Sequence, residues 1–456
     1  MKLLKTLLAI VLVVVLLAVG GVWYLNGYLQ TAEFKQKVLT VARTALGTEV
    51  KITDMNVSLF SGVQLKGIVI GNPPGFSGSL LTADSFVLSY NLMPLLNRRV
   101  EVEQLSATKP VVTLSRNEKG EWNYNKLGAL AGGTPAAQPA PKPGAKPTAK
   151  PAADETGTPA LDLALSKLAV TDGTVTLLSE KNKALTKIQG LDFSSALSFI
   201  GGKFSGNGRA RIATLAIADS LFVRQLDSPV SMTASEIKLS PATGKLADGD
   251  VTCDLTLKLT GGFKYVMNLQ AKNSNMAKLL QEAGVKEVIT GKLQGTTAVE
   301  GTGGLPTIVG KGRFEITNGQ IMQLPLLNTL ATLLQVAELR EMKFDECILE
   351  YTLSNSVLQT PVIKLSSSTI QVTGKGSVSL TDYALNHDLT LALSKTLLAK
   401  VPKEVQSAFK DRGDGFLTVD FRVSGPYDSP KTDLAQGLMK NAVQQQIQQR
   451  LIKLFK

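Results

Sequence analysis

The chain has 456 residues, 44% of them hydrophobic and 19% charged, and its 49 Lys and Arg against 37 Asp and Glu leave a formal net charge of +12. Those values exclude a disordered or collagen-like chain, and with aromatics at 5% the apolar content is mostly aliphatic, which suits strand faces and not the base-stacking grooves of nucleic-acid binders. One histidine, His387, excludes sites built from two or more imidazoles, and two cysteines, Cys253 and Cys347, exclude a multi-disulfide framework or a four-cysteine centre, so no metal or other cofactor is expected.

From Thr6 to Ala32 there is no charged residue, and Leu7 to Leu25 is almost unbroken Leu, Val, Ala and Ile. About 20 residues at ~1.5 Å rise match a ~30 Å hydrocarbon core, so residues 1–30 are predicted to be a transmembrane anchor. Lys2 and Lys5 precede it, which places the N-terminus in the cytoplasm and the body across the membrane, with Trp23 and Tyr24 in contact with the far interface. A cleavable signal peptide is the competing reading, because Ala18-Val19-Gly20 offers small residues to a peptidase. Either way the body is exported.

Glu33 to Leu46 reads as an amphipathic helix with Phe34, Val38, Val41, Ala42 and Ala45 on one side, stopped by Gly47. Strands separated by Ser61-Gly62 and by Gly71-Asn72-Pro73-Pro74-Gly75 follow, so residues 31–130 form an N-terminal β module. Residues 131–160 carry prolines at 135, 139, 141, 143, 147, 151 and 159 with little apolar bulk, and are expected to be a linker that buries no core.

From 161 to 432 strand alternation dominates. Val251, Cys253, Leu255, Leu257 and Leu259 alternate with Thr252, Asp254, Thr256 and Lys258, and Leu417, Val419, Phe421 and Val423 alternate with Thr418, Asp420 and Arg422. Leu389, Leu391 and Leu393 share a phase, as do Leu191, Phe193, Leu197 and Phe199. The Gly-x-Gly pairs at 206/208, 310/312 and 374/376 lack the context of a phosphate-binding loop and read as bends or bulges in a curved sheet. Helices are few: Leu326 to Glu341, opened by Pro325, and weaker candidates at Met276 to Ile289 and Ala399 to Lys410. Residues 433–456 form a basic amphipathic helix with Val443, Ile447, Leu451, Leu454 and Phe455 on one flank, set to lie on a membrane surface or to cap the sheet.

In this order the residues resemble the AsmA family of Gram-negative envelope proteins. The likeness is carried by the anchor, Ala45-Leu46-Gly47, Val50-Lys51-Ile52, Ser58-Leu59-Phe60, Ile70-Gly71-Asn72-Pro73, Gly75-Phe76, Ala83-Asp84, Met93-Pro94-Leu95-Leu96, Val100-Glu101-Val102, Lys109-Pro110-Val111-Val112 and Asn117 to Asn123. The C-terminal third is similar to that family's C-terminal domain through Gly312 to Gly319, the Leu-rich helix, Gly374-Lys375-Gly376-Ser377 and Val423 to Lys431. The resemblance implies a single-pass inner-membrane protein facing the periplasm, with a body akin to bridge-like lipid transfer proteins, concerned with outer-membrane lipid balance and assembly. It brings no catalytic residues.

The expected fold is mainly β with few helices, an N-terminal transmembrane helix followed by an elongated, curved antiparallel β-sheet groove. Membrane phospholipid is the expected partner. Exposing one ~16-carbon acyl chain to water costs on the order of 12 kcal/mol at ~0.8 kcal/mol per CH₂, so an aliphatic face that stays in contact with the chain offsets most of the barrier to leaving a bilayer. Candidate groove residues are Val251, Leu255, Leu257, Leu259, Leu389, Leu391, Leu393, Leu417, Val419 and Phe421. A closed sandwich core explains the same alternation. A second reading is a periplasmic adaptor that affects outer-membrane protein assembly or targeting through envelope protein partners without carrying lipid. A third, an envelope hydrolase, would need a polar pocket at His387 or acid–base work by Asp345 with Glu346 or Asp411 with Asp414, which by default are solvated charges. The expectation is therefore a protein that is not an enzyme.

Overall fold

The structure is a computed structural model. It describes residues 27–58, 62–91, 99–128, 162–200, 203–260, 264–286, 288–302, 305–322, 324–434 and 436. Residues 1–26 of the anchor segment, the whole proline-rich stretch and all but 433, 434 and 436 of the C-terminal amphipathic segment lie outside the described residues. Among the described residues no helix is long and apolar enough to cross a membrane. The chain divides into two compact units, residues 1–219 with 225–234 and residues 220–224 with 235–456.

In the first unit, helix α1 (Ala32–Leu46) begins and ends where the sequence predicts. The Thr31 hydroxyl accepts the Phe34 N–H at 3.3 Å, and Gly47, at φ 66°, donates its N–H to the Arg43 carbonyl at 2.9 Å. That left-handed conformation is one a glycine adopts without steric cost. Its half-buried apolar side is Phe34, Val38, Leu39, Ala42 and Leu46, whereas Val41 and Ala45, expected there, are exposed, Val41 at 67%.

The strands are β1 (Val50–Ser58), β2 (Gly62–Gly71), β3 (Ser79–Asn91), β4 (Arg99–Thr108), β5 (Val111–Ser115), β6 (Asp162–Leu178), β7 (Ala184–Ile200), β8 (Lys203–Ile217) and β9 (Leu221–Thr233). Pairs β1–β2, β2–β3, β3–β4, β6–β7 and β7–β8 are antiparallel. β4 and β5 are one line broken at Lys109, φ 47°, and Pro110; both pair with β3, and both lie parallel to β6. This departs from the all-antiparallel expectation. Parallel neighbours need a crossover of about a dozen or more residues, and the chain from Ser115 to Asp162, which contains the proline-rich stretch, supplies it. That stretch therefore falls inside the first unit, and the contacts divide the chain near 219–235.

Two of the motifs that carry the family likeness meet here. Asn123 is fully buried, donating from Nδ2 to the Thr113 carbonyl and to Asn72 Oδ1, both at 2.8 Å, and accepting the Ser115 N–H at 3.2 Å. Arg116 stacks 5.3 Å over the neighbouring Trp122 ring.

The second unit contains β10 (Glu236–Leu246), β11 (Gly249–Lys258), β12 (Lys264–Asn275), α2 (Met276–Glu282), β13 (Lys292–Gly301), β14 (Val309–Met322), α3 (Pro325–Leu334), β15 (Glu341–Ser354), β16 (Val357–Ser366), β17 (Ile370–Ser379), β18 (Ala384–Ser394), the single turns α4 (Lys395–Leu398) and α5 (Lys403–Gln406), β19 (Lys410–Asp411), β20 (Phe416–Pro426) and β21 (Lys431–Thr432). From β10 to β18 each strand pairs antiparallel with the next, and β18 pairs with β20. Register shifts in β10–β11, β12–β13, β15–β16 and β16–β17 bend the ladder.

The helices are shorter than predicted, for local reasons. α2 stops at Glu282 because Gly284 turns left-handed at φ 70°. Gln335 at φ 56° ends α3, and Val336 is extended. Pro402 lacks an N–H and restricts Val401, so the helix expected over Ala399 to Lys410 becomes α4 and α5 on either side. Leu327, Leu330, Leu334 and Leu339 pack with Leu397, Leu398 and Phe409 onto Leu293, Ile316, Leu365, Val372, Leu391 and Val419, forming the buried core. Each fully buried Leu contributes roughly 1.5–3 kcal/mol.

Candidate functional site

Directly opposed residues of paired strands share a face. In the second unit the register aligns Leu239, Leu255, Met267, Val299, Gly310, Leu353, Leu358, Val378 and Leu385 into one row. From β10 to β18 that is eight interstrand steps, about 38 Å at ~4.8 Å each, against roughly 15 Å for one leaflet's half of a ~30 Å hydrocarbon core. Every residue of the row is half-buried, and of them only Leu385 packs against the core. Further along the same strands and on the same face, Leu293, Ile316, Cys347, Leu365, Val372, Leu391 and Val419 form a parallel row beneath α3 and α4. One apolar face thus has a closed part and an open part.

The candidate groove residues divide between the two. Leu255 stands in the open row, and Leu257 stands one position nearer the strand ends beside Ile237 and Tyr265, half-buried. Leu259 is 45% exposed and lies past the end of β11 at Lys258. Val251, Leu389 and Phe421 fall in one intermediate row and are buried; Leu389 and Phe421 belong to the core with Leu391, Leu393 and Val419, and Leu417 packs against it. Met267, Val299, Leu353, Leu358 and Val378 were not singled out by alternation alone, because the row exists only once the strands are in register. The first unit carries a comparable row, Leu65, Phe86, Ala107, Val170, Phe193 and Ala210. The membrane-contacting candidates Trp23, Tyr24, Val443, Ile447, Leu451, Leu454 and Phe455 lie outside the described residues.

The strand glycines make room for neighbouring side chains. A Cβ on Gly376 would lie 2.5 Å from a His387 ring carbon and 2.3 Å from the Asn386 carbonyl oxygen, and one on Gly312 would lie 2.5 Å from the Tyr351 ring. His387 itself is 7% exposed, with Nε2 3.1 Å from the hydroxyl of Thr360, which is 2% exposed. Burial pushes the imidazole pKa down, only partly opposed by Asp388. A hydroxyl beside an imidazole is the start of a nucleophile–base pair, but one this deeply covered meets no substrate.

Asp345 and Glu346 lie between Phe344 and Cys347, which both pack with the core; Asp345 is exposed and Glu346 holds Lys364 at 2.7 Å. Asp411 accepts the Gly413 N–H and pairs with Lys395, and Asp414 is held by Arg412; these partners lower both pKa values, away from what a general acid needs. Cys253 and Cys347 stand four strands apart on one face, about 19 Å at ~4.8 Å per step, far beyond the ~4.4–6.8 Å Cα separation of a disulfide. Burial pushes both thiols up to about 11. Among the described residues no group of three or more His, Cys, Asp or Glu could hold a metal ion.

The opposite face of the second unit is polar. A cavity of about 560 Å³ opens among Thr252, Asp254, Asn268, Gln270, Thr296, Lys311, Arg313 and Glu350, with Arg313 and Glu350 ion-paired, and Leu269, Thr297, Gly312 and Tyr351 also line it. The two faces of the sheet therefore differ sharply in character.

The AsmA family model matches residues 1–213. That stretch, just under half of the chain, is similar to the AsmA family. The match runs from the N-terminus to within β8, so it includes α1, the broken β4–β5 line and the Asn72–Asn123 contact. No curated protein and no solved structure gives a significant match. The likeness to that family supports an envelope-related role.

Proposed function

We propose that this AsmA-like chain is an inner-membrane-anchored periplasmic protein that binds or conducts phospholipid along its apolar strip, without bond chemistry, in support of outer-membrane lipid homeostasis and assembly. The observation that carries this reading is the continuous, half-buried apolar row from Leu239 to Leu385, lying beside a fully covered core on the same face. A row that only packed the protein would be sealed like its neighbour. Extended acyl chains match it in chemistry, its length exceeds that of one leaflet's chains, and partial exposure lets them enter from the side.

A photoactivatable phenylalanine analogue at Leu358 tests this in intact cells. It is expected to capture phospholipid, while the same group at Lys364, on the polar face, captures none. Capture of a protein with no lipid would replace this reading by that of an assembly adaptor. For the location, a phosphatase fused to the C-terminus is expected to be active and a cytosolic fluorescent reporter dark. The reverse pattern would place the body in the cytoplasm.

A further inference from the structure

Within the apolar face of the second unit, one row inward from Met267, Val299 and Leu353, two hydroxyls stand among carbon. Thr297 and Tyr351 share that face with Cys253, Leu269 and Gly312, both are half-buried, and their oxygens are hydrogen-bonded to each other across β14. The Tyr351 ring is fixed in place: it lies over Gly312, where no Cβ fits, and stacks on Phe314 at 5.9 Å and 8°. A second polar pair in this face, Thr360 with His387, is sealed; this one borders the open row.

The pair holds two hydroxyl protons, and one suffices to bridge the two oxygens. The other has the Lys311 carbonyl at 3.4 Å, longer than the ~2.5–3.0 Å of an ordinary O–H···O bond, and so has more to gain from a closer acceptor. A neutral hydroxyl pair suits a neutral acceptor. A phosphate would call for cations, and Lys311 and Arg313, on either side of Gly312 in β14, alternate onto the other face. The neutral acceptors that a diacyl glycerolipid carries next to its chains are its ester carbonyls. We propose that Thr297 and Tyr351 form a polar station that donates to an ester carbonyl of a glycerolipid whose acyl chains lie along the open row. This rests on the lipid-binding reading and adds to it where the lipid halts and which linkage it carries.

The test uses the full-length chain with a photoactivatable phenylalanine analogue at Val299, mixed with equal amounts of a diester phosphatidylethanolamine and its diether analogue in detergent micelles. The diester is expected to be captured about fivefold over the diether, the factor that one neutral hydrogen bond carries. Thr297→Val removes the proton that has only the distant Lys311 carbonyl and should bring the ratio to about one with diether capture unchanged; Tyr351→Phe, which keeps the stacked ring, should also lower it, and serves if Thr297→Val does not fold. Equal capture by the unsubstituted protein, or a preference that survives both substitutions, would overturn the station while leaving lipid binding intact. Capture of neither lipid would instead remove the lipid-binding reading, and the station with it.

Discussion

His387 faces Thr360 across Gly376, in a face where the surrounding side chains are mainly carbon, and burial holds its imidazole neutral. Its pKa in the fold lies below the ordinary value of 6.5. The unfolded chain therefore binds the proton more readily, so the contribution of His387 is fully present above about pH 6.5 and is lost as pH falls through that value toward the folded pKa. Urea unfolding is expected to show stability falling between about pH 7 and pH 5, with a shallower slope in His387→Gln, which cannot titrate. An equal slope in both would assign the effect to other groups. The strand phase of His387 was legible from Leu385, Leu389 and Leu391, but its partner was not, since Thr360 stands two strands away and meets it across Gly376. The glycines behave likewise: their place in strands was readable, whereas the ring each accommodates belongs to a different strand.

At the scale of the element, alternation gave the apolar face of β11, β18 and β20 correctly but could not separate an open position from a covered one. Leu255 and Val419 have the same sequence signature. Register and the helical cover distinguish them: Leu255 is half-buried in the open row, and Val419 is 9% exposed beside Leu391 in the core. An Asp at position 255 can keep its carboxylate at the solvent boundary, so Leu255→Asp is expected to leave the protein folded and abundant while lipid capture from Leu358 drops severalfold. Val419→Asp buries a carboxylate with no partner, which costs roughly 3 kcal/mol or more, and is expected to cause misfolding and degradation. Measuring abundance and capture together separates the outcomes. Should Leu255→Asp be degraded as well, the open row is core and not conduit. The covering elements were harder to read, because Gln335 and Pro402 end helices by backbone geometry that the Leu-rich pattern does not report.

For the whole molecule, the proline-rich stretch was recognisable by composition, but its place was not, because parallel pairing of β4 and β5 with β6 is a long-range relation. That pairing sets a minimum length for the connection. Asn123 is pinned beside Thr113, which is level with Thr176 of β6, while the chain must resume at Asp162, the far end of the same strand. Fourteen residues of strand at ~3.3 Å separate those levels by about 46 Å. The 33 residues from 129 to 161 cover that distance easily at ~3.3 Å each. Deleting Gly133 to Ala145 leaves 33 − 13 = 20, a reach of about 66 Å, and should leave abundance and lipid capture unchanged. Deleting Gly133 to Ala160 leaves 33 − 28 = 5, about 17 Å, and should prevent β6 from pairing, with loss of folded protein. Tolerance of the long deletion would mean that β6 does not lie parallel to β4 and β5; failure of the short one would mean that the stretch itself carries structure.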